Sequence, residues 1–177
     1  MRFDKEANKT YTYSDADSLI ENLDDLAEII NHHRLRQVPR LDQLDDYYLG
    51  NNTTILNGVR RKEEHMADHR AAHNHARYVS QFIVGYLTGN PIKIDHSDDK
   101  ARDYIRNIEQ SNELDALHSE LTLDCSVYGR AYELLYRNEN DETKVVMLSP
   151  LETFVIYDEP VEQKPIAGVR YRKSFKN

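Results

Sequence analysis

Three histidines, His65, His69 and His73, recur every fourth residue, with His75, Glu64 and Asp68 close by. On a helix the three line up with a drift of about 40° per step, and imidazoles four residues apart can share a zinc or nickel ion. The first and third lie about 12 Å apart along the axis, so one ion takes two of them and needs a further carboxylate from elsewhere. The His-Glu-x-x-His arrangement that sets a general base beside zinc ligands is missing. A metal-binding protein or enzyme built on His65, His69 and His73 is therefore the alternative reading, against a solvated, pH-sensitive helix face as the plain one. Other catalytic patterns are weaker. Ser126 sits in a helical pattern with no strand-turn-helix elbow around it. The six glycines are dispersed, so no phosphate loop forms. Most of them read as structural: Gly50, Gly89 and Gly129 as helix stops, Gly85 as a close-packing point inside a helix. Cys125, the single cysteine, reads as a small core residue. The twelve tyrosines fall mostly on apolar stripes or alternate in strands, where a half-buried ring with its hydroxyl at the rim is the ordinary use. Neither catalytic residues nor a cofactor site are expected.

The elements that position these residues follow from hydrophobic period. Behind Ser14 as N-cap, Leu19, Ile20, Leu23, Leu26, Ala27 and Ile30 make one helical stripe, predicted to end before Pro39. A shorter helix from about Arg40 closes at Gly50. Asn74 to Thr88 is predicted helical, with Val79, Phe82, Ile83, Tyr86 and Leu87 on one face, and Gly89-Asn90-Pro91 ends it. Pro91 to Asp95 reads as an edge strand or extended connector. Two further helices follow, one capped by Ser97, the next closed by Gly129, with Asn112 between them. After Gly129 the period changes from 3.6 to 2 and strands are expected over 130–137, 143–148, 151–157 and 166–173. The expected class is α+β: amphipathic helices over 14–129 packed on an antiparallel β-meander over 130–173, in one domain preceded by a flexible arm of residues 1–13.

At 177 residues the chain has room for one core, and 31% charged against 39% hydrophobic residues implies a well-solvated surface. The N-terminus lacks a signal-peptide stretch, so assembly in a cytoplasm is expected. Net charge is −8, which repels nucleic acid at long range, but residues 164–177 hold Lys164, Arg170, Arg172, Lys173 and Lys176 and no acid.

Several segments, in order over about residues 20–173, resemble the N-terminal part of tailed-bacteriophage portal proteins of the siphophage type. They are Arg40-Leu41-x-x-Leu44-x-x-Tyr47-Tyr48-Leu49-Gly50 with Ile55 behind it; Asn74-x-x-Arg77 leading to Gly85-Tyr86-Leu87-x-Gly89-x-Pro91-Ile92; and Val127-Tyr128-Gly129-Arg130-Ala131-Tyr132-Glu133-Leu134-Leu135, trailed by Pro150 and Tyr157-Asp158. The resemblance implies the wing-like region of a subunit in a dodecameric ring at a capsid vertex of the virion. Its implied partners are other portal subunits, terminase, scaffold, major capsid and head-completion proteins, and double-stranded DNA passing through the channel without sequence specificity; no membrane is involved. It implies structural roles for Tyr47, Tyr48, Gly50, Asn74, Arg77, Gly85, Tyr86, Gly89, Pro91 and Gly129. Family members continue beyond this region into stem and clip, so a truncated chain is expected, with a prophage remnant acting as an interaction module as a further alternative. Residues 59–73 carry no family pattern.

Overall fold

The computed structural model describes residues 6–53 and 72–172, which form two compact units, one of Met1–Asp42 with Met147–Asn177 and one of Gln43–Val146. In the first unit a single 3₁₀ turn, Glu6–Asn8, leads to strand β1, Tyr11–Thr12, then helices α1, Ala16–Glu21, and α2, Leu23–His32. Strands β4, Thr153–Tyr157, and β5, Pro165–Arg170, complete a three-stranded sheet in the order β1-β4-β5. β1 runs parallel to β4 with Tyr11 beside Ile156, and β4 runs antiparallel to β5 with Phe154 opposite Val169. A bulge after Ile156 sets Tyr157 opposite Pro165. Tyr11, Leu19, Phe154 and Ile156 make the core, flanked by Leu26, Ile29 and Ile30 from α2. Each such side chain, fully buried, contributes about 1.5–3 kcal/mol. Tyr11 thus lies in the core of the sheet, although residues 1–13 read as a flexible arm.

The predicted single helix over 14–38 is broken at Asn22, where α1 stops and α2 starts. The cap is Asp15 rather than Ser14: its Oδ1 accepts from Ser18 N at 2.8 Å, and that bond holds its carboxyl below the usual range. The helix does not end before Pro39. A five-residue π-helical run, His33–Gln37, joins α2 to α3, Val38–Leu49, which carries Pro39 as its second residue. Proline lacks an N–H and its ring collides with the carbonyl four residues back. A local change to i→i+5 bonding, here Val38 N to His33 O, relieves that conflict without ending the helix. The same run buries His33 and Gln37. His33 Nδ1 and the Tyr171 hydroxyl are 2.8 Å apart, and Gln37 Nε2 donates to Lys9 O at 2.6 Å.

The second unit holds helices α4, His75–Thr88, α5, Asp99–Ser111, and α6, Leu114–Tyr128, then the hairpin of β2, Tyr132–Arg137, and β3, Thr143–Leu148, whose last two residues belong to the first unit. α4 lies along α6, while α5, next to α6 in sequence, meets it less extensively. Small polar residues line the contact: Ser126 Oγ donates to buried Ser80 Oγ at 3.0 Å, and Ser119 Oγ to Thr88 Oγ1 at 3.0 Å. Asp98, not Ser97, caps α5, accepting from Lys100 N at 2.9 Å. Asn112 ends α5 and anchors the hairpin, donating to Ile108 O and Thr143 O and accepting from Val145 N. The Asn138–Asp141 turn falls where the sequence places it, with Asn138 Oδ1 accepting from Asn140 N and Glu142 N. The class is α+β as expected, and the four strands sit near their expected positions. They divide into two sheets rather than one meander because the 130–148 pair and the 153–170 pair are partnered separately.

Candidate functional site

Four of the ten residues singled out by the resemblance, Tyr48, Gly50, Asn74 and Arg77, meet at the joint between α3 and α4. Gly50 ends α3 at φ +84°, a left-handed conformation that side chains resist. Asn74 then bridges two helix ends: its Nδ2 donates to Tyr48 O at 2.7 Å, an orphan carbonyl of α3, and its Oδ1 accepts from Arg77 N at 2.9 Å, an orphan N–H of α4. A Cβ on Gly50 would lie 2.9 Å from Asn74 Nδ2, so the turn has two reasons to be glycine. The Arg77 guanidinium sits 5.8 Å from the centroid of the Tyr48 ring. Tyr48, Gly50, Asn74 and Arg77 are thus one clasp, while Tyr47 faces outward. Gly129 closes α6 at φ +72°, its N–H on Cys125 O. Cys125 itself is exposed, not a core residue.

At its far end α4 stops at Gly89 and Pro91. A Cβ on Gly89 would lie 2.5 Å from the Gly85 carbonyl oxygen, which explains that glycine. Gly85 has nothing among the described residues within 4 Å of where its Cβ would be, so the close packing expected there is not found among them. The face expected to be apolar core is open: Tyr78, Phe82 and Tyr86 are 69%, 65% and 80% exposed, with Val79 and Leu87 exposed beside them. The buried edge of α4 is polar instead, at Ser80, because α6 meets it there through Ser126.

Beside α5 runs an open groove of about 960 Å³ along the extended segment 91–95. It mixes Lys93, Arg102 and Arg106 with Asp95, Glu109 and Glu113, and no serine, cysteine or histidine lines it. Arg102 Nε donates to Asp95 Oδ1 at 2.9 Å. The most perturbed carboxyl is elsewhere: Asp124 on α6 is pushed up from 3.8 to about 6 by partial burial, then by Glu120 and Asp45. Tyr128 donates to Asp45 Oδ1 at 3.2 Å. Sequence reasoning missed this carboxyl group because Asp45 comes from α3, far away in the chain; it also missed Asn112 as an anchor, seeing only a helix break.

His65 and His69 lie outside the described residues, and His73 is exposed with its ring 6.0 Å from that of His75. Among the described residues no three histidine, cysteine or acidic side chains converge as metal ligands, and no helix is long and apolar enough to cross a membrane.

What these residues build is architecture: a capped joint, a helix held in place by it, and a broad apolar face. That is the arrangement of a structural protein that works through contacts. Residues 27–177 match the family described as phage portal protein, SPP1 Gp6-like, and the chain belongs to that family. The family is structural, and the match takes in the clasp, α4 to α6 and β2 to β5. No curated protein sequence matches the chain.

Proposed function

We propose that this chain is a non-catalytic subunit of a portal ring at the capsid vertex of a phage virion, assembled in the host cytoplasm and supporting head assembly, DNA packaging and tail attachment. The carrying observation is the family match over residues 27–177; Tyr48, Gly50, Asn74 and Arg77, among the residues on which the resemblance was drawn, support the reading by gathering into one helix joint. A net charge of −8 supports a surface past which double-stranded DNA moves without sticking, since tight non-specific binding needs cationic contacts. Terminase, scaffold, capsid and head-completion proteins are the partners this role calls for.

Sedimentation velocity over a concentration series, with and without chelator, tests the reading. The expected result is concentration-dependent self-association that chelator leaves unchanged. A chain that stays monomeric throughout, or whose state depends on bound metal through His65 and His69, overturns it.

A further inference from the structure

We propose that the exposed face of α4 docks on the exposed strand β2 of a second copy of this chain, head to tail; this rests on the portal reading. On a helix, Tyr78, Phe82 and Tyr86 advance about 40° each, so they form one continuous ridge. Three rings exposed by roughly two-thirds or more of about 200 Å² each, with Val79 and Leu87, present roughly 600 Å². The largest apolar patch of an ordinary monomer is about 300–600 Å², and a stable interface takes about 800 Å² from each partner. At roughly 600 Å² the face is at the top of the monomer range and amounts to most of one side of a stable interface.

The second surface is the hairpin. A two-stranded hairpin is marginal in water unless a helix or further strand packs on it. Its own chain holds β3, through Asn112 to Thr143 and Val145 and through Tyr104 near the Thr143 hydroxyl, and holds the end of β2 where Arg137 donates to the Tyr104 hydroxyl at 3.5 Å. β2 faces outward, with Leu134, Leu135 (60%) and Tyr136 exposed. Among the described residues the helix has no sheet on its apolar side, and α5 meets the hairpin through Tyr104 and Asn112 while Leu134, Leu135 and Tyr136 of β2 stay exposed. Layered α+β packing satisfies both at once. Two different surfaces on each copy make a heterologous contact, the kind that closes into rings.

Gly85 points the same way. It falls within about 60° of Tyr78 and Phe82 on the helix wheel, has open space where its Cβ would be, and costs the helix about 1 kcal/mol relative to alanine. No described residue of its own chain repays that cost, whereas a neighbour's close approach would. The charge balance agrees: α4 carries no acid between His75 and Thr88, so the apolar ridge meets a partner without adding to the repulsion between two copies of charge −8.

Cysteine trapping tests the contact in a Cys125→Ser background, since Cys125 is exposed. Phe82→Cys and Leu135→Cys are made in separate chains and together in one, and treated with diamide as the oxidant. A disulfide needs Cβ atoms about 3.5–4.5 Å apart, so it reports direct contact. The expected result is heterodimer from the mixed single variants and a ladder of multimers from the double variant, while Lys100→Cys, exposed on α5, stays unlinked. Gly85→Ala is expected to raise the melting temperature of the dilute chain and lower the cross-linking yield severalfold. Homodimer from Phe82→Cys alone, without heterodimer, would mean that α4 pairs with itself and overturns the proposal. Self-association in sedimentation with no cross-link overturns this contact and leaves the portal reading standing. A monomer with no cross-link overturns both.

Discussion

Asn74→Ala is the sharpest test of how the clasp works. The alanine removes the N-cap acceptor of Arg77 N, a loss of about 1 kcal/mol with a range of about 0.5–2. It also removes the donor to Tyr48 O, and a neutral hydrogen bond of this kind is worth about 0.5–1.5 kcal/mol. Together the second unit should lose about 2 kcal/mol. Asn74→Asp separates the halves: its carboxylate still accepts from Arg77 N, and negative charge suits a helix N-terminus, but it has no donor for the Tyr48 carbonyl. It should cost about half as much. Gly50→Ala adds a third arm. At φ +84° the alanine costs about 1–2 kcal/mol from backbone strain alone, and its Cβ meets Asn74 Nδ2 at 2.9 Å. With Asn74→Ala that contact disappears, so the double variant should lose about 0.5–1 kcal/mol less than the sum of the singles. Urea unfolding followed by far-ultraviolet circular dichroism measures all four chains. If Asn74→Ala and Asn74→Asp cost the same, or if the Gly50 and Asn74 effects add without coupling, the two-ended cap is not what holds α3 to α4.

Gly85→Ala should stabilise the isolated chain by about 1 kcal/mol, since no described residue lies within 4 Å of its Cβ position; thermal unfolding of dilute protein shows it, and a loss of stability would refute the open-space reading. Asp124 should give a pH dependence of opposite sign to an ordinary paired carboxylate. Its folded pKa of about 6 exceeds the usual 3.8, so its contribution to stability is greatest at low pH and falls as pH rises from about 4 to 6. Because the group is only half-buried and keeps contact with solvent, screening reduces the penalty at neutral pH to about 1 kcal/mol. Asp124→Asn should therefore stabilise by that much at pH 7.5 and be near neutral at pH 4, and an equal effect at both pH values would refute the assignment. Phe154→Ala, in the core of the first unit, should cost about 3–5 kcal/mol in chemical unfolding. Self-association should strengthen between about 50 and 300 mM salt in sedimentation, because an apolar contact between two copies of charge −8 is opposed by screened repulsion; weakening would point to a salt-bridged interface instead.

Much of the local structure is legible in the sequence because it depends on nearest neighbours in the chain. Gly50, Gly89 and Gly129 each stop a helix where a turn residue is needed, and Asn138 folds the hairpin turn through its own side chain. The failures are of two kinds. Some are local competitions that residue type alone does not decide: Asp15 outcompetes Ser14 as a cap because it also takes the Ser18 hydroxyl, and the π-helical run carries the chain through Pro39. Others are matters of partner choice. Tyr11 belongs to a strand because β4 lies beside it, and β4 is about 140 residues away in the chain. No local pattern near Tyr11 names that partner.

α4 shows the deeper reason. Its apolar period is correct, and the helix forms where the period places it, yet the apolar face is the open one and the serine edge is buried. Periodicity states that one face is to be covered; it does not state which molecule covers it. In a lone globular domain the two statements coincide, so an amphipathic stripe is read as core. In a protein whose final form is an assembly they separate. Here small polar contacts, Ser80 with Ser126 and Thr88 with Ser119, seat the helix within its own fold, and Tyr78, Phe82 and Tyr86 stay exposed, the face proposed above for a second copy. The clasp at Asn74 fits that division of labour: a helix that receives little apolar support from the described residues of its own chain needs its N-terminus fixed by caps, and Asn74 fixes it, with one end of its amide on Tyr48 O and the other on Arg77 N.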